Sequence, residues 1–220
     1  MTVANGRAAR FLALSLLCVA AASLNLLSHH LVFHALGLPL FLDTLLTVAV
    51  VFYAGLVPGL AMVLINWLLW LAVSGSMTPF IVVSVAEVFI VWRLMSQGGA
   101  AWPDARGRRA FAEKTGVLAT LMLLYIATSV SASVLGGLVH YFYVLITQET
   151  YQEFSSLDRV FRAVFYGGEI HVLARGILSC LPVNLIDRAF VVFGGFFIAL
   201  GIRRLTDKTR LRGSRMCGGR

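Results

Sequence analysis

Few side chains in this sequence can do chemistry, and most of them stand where charge is costly. Glu87, His140, Asp187 and Arg188 lie in or beside long apolar runs, and Asp43 follows Pro39 at the start of another. An ionisable group inside hydrocarbon is expensive; it persists by pairing, by lining a cavity or by holding a proton, so each marks a candidate site. Asn184 and Asp187 are three residues apart and share one helix face, where they could hydrogen-bond a polar solute. Asp187 could instead pair with Arg188 or Arg175 and tie helices together. Glu87 either meets a solute or stays neutral, hydrogen-bonded to a neighbour such as Asn66. Asp43 reads as a cap of the run that follows it or as a ligand contact. Glu169, His171 and Arg175 lead into the last apolar run, with His171 and Arg175 one helical turn apart. Their mixed charge suits a zwitterionic or hydrogen-bonding heterocycle.

Other chemistries find less support. His30 and His34 have the i, i+4 spacing of metal ligands and His29 adjoins them, but no cysteine or paired carboxylate completes the set, so no metal site is expected. Cys18, Cys180 and Cys217 are odd in number and show no CxxC spacing, which implies neither disulfide framework nor zinc. There is no GxSxG, no HExxH and no glycine-rich phosphate loop with lysine, so the chain reads as a non-enzyme without a cofactor. The tyrosines Tyr141, Tyr143, Tyr151 and Tyr166 and the tryptophans Trp67, Trp70 and Trp92 read as interfacial belts, with the outer tyrosines able to stack on a flat ring.

The elements that must position these residues are membrane helices. With 59% hydrophobic and 13% charged residues and a mean hydropathy of +0.87, water is not the main solvent of this 220-residue chain. Each crossing needs roughly 17 to 25 mainly apolar residues, and six runs qualify: residues 11–28, 39–56, 58–74, 78–95, 116–142 and 181–202. Only the turn Gly55-Leu-Val-Pro-Gly59 divides the second from the third, so these two form either full crossings or a re-entrant pair. The first run could also be a cleaved signal peptide, since Arg7 and Arg10 precede it and Ala20-Ala-Ala22 resembles a cleavage site.

Sidedness follows from Lys and Arg. Arg7 and Arg10 precede the first run, Arg93, Arg106, Arg108, Arg109 and Lys114 stand between the fourth and fifth, and Arg203, Arg204, Lys208, Arg210, Arg212, Arg215 and Arg220 follow the sixth. These are fourteen of eighteen basic residues, and six crossings place all of them on one side, which predicts both termini in the cytoplasm. Basic residues clustered beside apolar runs also argue against nucleic-acid binding despite a net charge of +8. The expected architecture is an all-α membrane protein, a bundle of six transmembrane helices over residues 1–205, with a basic, unstructured cytoplasmic tail over 206–220. Before the last span, Leu157, Val160, Phe161, Val164 and Phe165 recur at helical spacing opposite Asp158, Arg159 and Arg162, which predicts an amphipathic helix on the outer surface.

The fifth run carries two strips of small residues, Thr128, Ala132 and Gly136, and Ser129, Ser133 and Gly137, that would let a neighbouring helix approach closely. Ala9 and Ala13 repeat that spacing in the first run, facing either the bundle or a partner protein.

The chain resembles the substrate-binding S components of energy-coupling factor (ECF) transporters, the vitamin-uptake systems of prokaryotes. The resemblance spans nearly the whole sequence. It rests on length, six spans, the stretch Leu38-Pro39-Leu-Phe-Leu-Asp43-Thr44 with the Gly55–Gly59 turn and Asn66, and the opening Leu181-Pro-Val-Asn-Leu-Ile-Asp187-Arg188 of the last span. It implies a multi-pass protein of a prokaryotic plasma membrane that captures a vitamin-like molecule from outside, through outer loops and the outer halves of later helices. Asn184, Asp187, Glu169, His171, Arg175 and His140 would stand there. It also implies partners: a transmembrane coupling protein docked on small residues of the first helix, for which Ala9 and Ala13 have the spacing, and two ATPase subunits. The Leu38–Thr44 stretch is similar, too, to the membrane sensor part of some bacterial histidine kinases. No kinase sequence follows the sixth run, so a sensor of this kind is expected to signal through a separate partner.

Overall fold

The structure, a computed structural model, describes residues 2–36, 42–75, 79–97, 111–147 and 172–217. It contains six helical rods and, among the described residues, no strand. Helix α1 (Thr2–His29) runs on into a π-helical turn, His30–Ala35. Then come α2 (Leu45–Ala54), α3 (Leu56–Ser74), α4 (Ile81–Gln97) and α5 (Phe111–Thr147). The last rod is continuous: α6 (Val172–Ala189), a π-helical stretch Phe190–Gly194, and α7 (Gly195–Cys217). This is a multi-pass, all-helical membrane protein.

Four stretches are long and apolar enough to cross a bilayer: Leu12–Val32, Leu56–Ser74, Gly116–Tyr143 and Gly176–Asp207. Their outward faces carry Leu12, Leu16, Leu64, Leu123, Ile126, Ile186 and Phe197, all exposed, as a lipid-facing surface requires. Helix α4 has 17 residues, about 25 Å of rise, and nearly spans. Helix α2 differs from the expected crossing over 39–56. It begins only at Leu45 and has 10 residues, about 15 Å, because Asp43 and Thr44 form a turn where the apolar run looks unbroken. Instead of spanning, α2 is the axis of the bundle. Thr47 through Phe52 are buried in succession, the mark of a helix surrounded on all sides by protein.

Two further expectations change. The last rod begins its apolar part at Gly176 rather than at 181, and helix α7 continues through residues 206–217, where an unstructured tail is expected. The amphipathic helix around 157–165 lies outside the described residues.

Glycines and one arginine mark the closest approaches between helices. The turn between α2 and α3 is Gly55, at φ 92°, a conformation that favours glycine. Gly59 then passes so close to α2 that a Cβ there would stand 2.4 Å from Val51 Cγ2. At the α5–α6 crossing, a Cβ on Gly137 would meet the backbone of Ile177 at 2.7 to 2.8 Å. One strip of small residues on α5 thus does serve close internal packing. At the far end of α2, Arg203 Nη2 donates to the carbonyls of Phe52 at 3.2 Å and Tyr53 at 3.4 Å, satisfying helix-terminal acceptors with a cation. With Arg93 near the end of α4 and Arg7 and Arg10 near the start of α1, this is the basic end of the molecule. The core there is dry: Val51, Phe52, Val88, Val91, Leu121, Leu124, Val191, Val192, Phe196 and Ala199 pack together.

Candidate functional site

Away from the basic end the interior becomes polar. Asn25, buried on α1, donates from Nδ2 to Thr47 Oγ1 at 3.1 Å, and its Oδ1 accepts from Leu46 N at 3.0 Å. It thereby satisfies an otherwise orphaned donor in the first turn of α2. The approach to α2 is tied down from three sides. Leu42 N donates to Asp187 Oδ1 at 2.9 Å, Arg188 Nη1 donates to Thr44 Oγ1 at 2.6 Å, and Asn66 Nδ2 donates to the carbonyl of Asp43 at 3.4 Å. Leu42 has φ 43°, a left-handed conformation that a leucine adopts only where its surroundings over-determine it. These ties supply that constraint.

Arg188 is the hub. It is 4% exposed, and Nη1 reaches Glu87 Oε1 on α4 at 2.5 Å while Nη2 lies 3.5 Å from Asp187 Oδ2. Glu87 is 4% exposed and Asp187 fully buried, so the guanidinium is enclosed between two carboxylates and a hydroxyl. A paired, hydrogen-bonded charge cluster is the arrangement in which buried ions are tolerated. Arg188 Nε and Glu87 Oε2 nevertheless have no hydrogen-bond partner, and Asn66 Oδ1 and Trp70 Nε1 are buried in the same condition.

Beside this hub is a cavity of about 140 Å³ to which all six rods contribute. Its polar wall is Asp43, Thr44, Thr47, Asn66, Ser84, Asn184 and Arg188; its aromatic wall is His29, Trp67, Trp70 and Phe80. His29 meets Trp70 edge to face, with ring centroids 5.0 Å apart, which fixes the orientation of the indole. Ala132 and Gly136 of α5 line the cavity, so the second small-residue strip leaves space rather than filling it. By size, the cavity matches an engineered void of about 150 Å³ that admits benzene.

The structure divides the expected site residues into groups. Asn184 and Asn66 face the cavity, with Asn184 Nδ2 donating to Ser133 Oγ at 3.1 Å. Glu87 and Asp187 are not on its wall. They stand behind Arg188, and Glu87 pairs with that residue rather than with Asn66. His140 is half-buried on α5 beside Gly176 and is not on the wall either. Glu169 and His171 lie outside the described residues, as does the side chain of Arg175. On α1, Ala13 is exposed, and the side chain of Ala9 is outside the described set.

Several wall residues escape sequence reasoning. Trp67 and Trp70 point inward instead of forming an interfacial belt, and His29 is buried while His30 is exposed; Asp43, read as a cap or a ligand contact, lines the cavity. One signal for the tryptophans was present: Asn66, Trp67 and Trp70 fall within one turn and a third of α3, so a cavity that uses the asparagine brings the rings with it. Compared with family models, curated proteins and solved structures, the chain returns no match.

Proposed function

We propose that this protein is the membrane-embedded solute-binding subunit of an ECF-type importer, taking a vitamin-like small molecule from outside a prokaryotic plasma membrane. The observation that carries the reading is the cavity: all six rods line it, it lies away from the basic end, and it joins aromatic faces to convergent polar groups. Pockets of that composition are the usual form of small-molecule sites. By the positive-inside rule the basic end is cytoplasmic, so the cavity belongs to the outer half. Energy for uptake would come from partners, a transmembrane coupling protein and two ATPase subunits. Helix α1 is the proposed docking element, since Ala13 is exposed there beside Leu12 and Leu16.

The test is direct. Denaturing detergent-purified protein should release a small organic molecule identifiable by mass spectrometry, and gentle purification should retain ATPase subunits. An empty protein that binds no vitamin-like compound at micromolar concentration defeats the reading. Retention of a soluble kinase or regulator, with uptake intact in a deletion strain, would support the sensor alternative instead.

A further inference from the structure

We infer that the end of α7 is a contact for anionic lipid, with Arg204, Lys208, Arg212 and Arg215 forming one stripe that meets the phosphates of acidic headgroups.

Helix α7 continues to Cys217, where an unstructured tail is expected. Residues 203–217 carry six Lys or Arg and a single acid, Asp207. A helix turns about 100° per residue, so Arg204, Lys208, Arg212 and Arg215, at i, i+4, i+8 and i+11, share an arc of about 80°. Arg203 and Arg210 fall on another side. Arg203 is committed to the carbonyls at the end of α2, and Asp207, four residues on and outside the arc, acts on it through space. The stripe therefore keeps its positive charge. Like charges at i, i+4 repel and weaken a helix that stands alone. Anions gathered along the stripe remove that repulsion.

Position selects the anion. The apolar stretch Gly176–Asp207 rises about 48 Å, enough to cross a bilayer of about 40 to 45 Å with its headgroups. Arg204, near its end, is exposed, as is Leu205 beside it. At the same end of the molecule α4 exposes Trp92 and Arg93, residue types that mark a membrane interface. The stripe thus begins in the headgroup layer, and its other three residues follow within about 17 Å along the helix. Lipid phosphates are already dense there, whereas an acidic protein would have to be recruited. Clusters of Lys and Arg beside a membrane helix attract acidic lipid over about one Debye length, about 8 to 10 Å. Contact along the whole stripe therefore requires the end of α7 to lie against the surface, and not to project from it.

A label at the end of the helix tests this. Cys18 and Cys180 are buried, so a hydrophilic maleimide dye is directed to Cys217 of the folded protein, and peptide mass spectrometry verifies the site. The labelled protein is placed in nanodiscs of phosphatidylcholine, with or without phosphatidylglycerol, and a nitroxide on the lipid headgroups quenches the dye. Quenching should be about threefold stronger with phosphatidylglycerol. It should return to the phosphatidylcholine level at about 0.5 M NaCl, where screening shortens the Debye length to about 4 Å. Arg212→Gln, on the stripe, should lose much of the dependence on phosphatidylglycerol. Arg210→Gln, the same change of charge off the stripe, should keep nearly all of it. Glutamine is a good helix former, so neither change should melt the helix. If a variant fails to fold, the wild-type comparison of lipids and salt still decides. Equal quenching in the two lipids overturns the inference, as does a difference that survives salt or an equal loss in both variants. A soluble polyglutamate peptide that shifts the dye's emission where phosphatidylglycerol does not would assign the stripe to an acidic protein segment, and overturns it as well.

Discussion

The two halves of the bundle solve the same packing problem in opposite ways. Toward the basic end, α2, α4, α5 and α7 meet through Val51, Phe52, Val88, Leu124, Val192 and Phe196, with no polar side chain among them. Toward the other end, α2, α4 and α5 meet α1 and α6 through Asn25, Thr47, Glu87, Ser129, Ser133, Asn184, Asp187 and Arg188, and a cavity is left between them. In lipid, apolar contacts between helices gain nothing from the exclusion of water, so the dry half is held by close fit and the polar half by hydrogen bonds and ion pairs. A close fit leaves no room for a guest. A polar framework can hold its shape around a space, at the cost of charges that must stay paired.

That difference predicts where the molecule is most fragile. Glu87→Ala leaves Arg188 enclosed with its closest counter-ion gone, and removing one partner of a buried pair costs about 3 to 5 kcal/mol. The variant should be recovered in low yield and melt far below the wild type in detergent. Arg188→Met combined with Glu87→Ala should regain part of the loss, because the stranded guanidinium is gone. Asp187 then keeps the Leu42 amide but loses the guanidinium beside it. If the double variant is no better than Glu87→Ala, the ion pair is not what holds this half together.

The dry half should respond less, and through volume. Leu124→Ala opens a void in the Val88–Val192 cluster. The water-transfer part of the usual penalty falls away in lipid and the cavity part remains, so the expected loss is about 2 to 3 kcal/mol. Leu124→Met, of similar volume, should be nearly neutral in the same melting assay. A third position tests the close fit between α5 and α6. Gly137→Ala drives a methyl group into the Ile177 backbone, which cannot turn aside as a side chain could, and should cost about 2 kcal/mol. Gly59→Ala should cost less, since its nearest neighbour is the methyl end of Val51.

The dry half was the more legible in the sequence, and the reason is physical. Hydropathy reports which segments avoid water, and it marked the long helices, while the placement of Lys and Arg marked the basic end. It could not show that α2 stops short. Residues 39–56 read as one apolar run, and only the tertiary ties to Leu42, Asp43 and Thr44 reveal a turn inside it. Nor could it pair Glu87 with Arg188 across 101 positions. Asp187 beside Arg188 suggested a local pair, yet successive residues of a helix point about 100° apart, so each of these two found its closer partner on another element. Asp187 holds the Leu42 amide, and Arg188 holds Glu87 and Thr44.

The smallest expected effect on stability falls where the two properties of the polar half, framework and cavity, separate most cleanly. Asn184 bridges to Ser133 and also lines the cavity. In Asn184→Ala, the Ser133 hydroxyl keeps its own bond to the Ser129 carbonyl at 2.8 Å, so no donor is stranded. What is lost is one hydrogen bond between membrane helices, about 0.6 kcal/mol on average. A polar solute held by the Asn184 amide would lose that contact with no water to replace it, so its affinity should fall about tenfold, equivalent to about 1.4 kcal/mol. Membrane abundance and melting temperature of Asn184→Ala should therefore stay near the wild type while solute retention drops. A variant in which abundance and retention fall together would make Asn184 part of the framework alone, and the division between the residues that hold the space and those that use it would have to be redrawn.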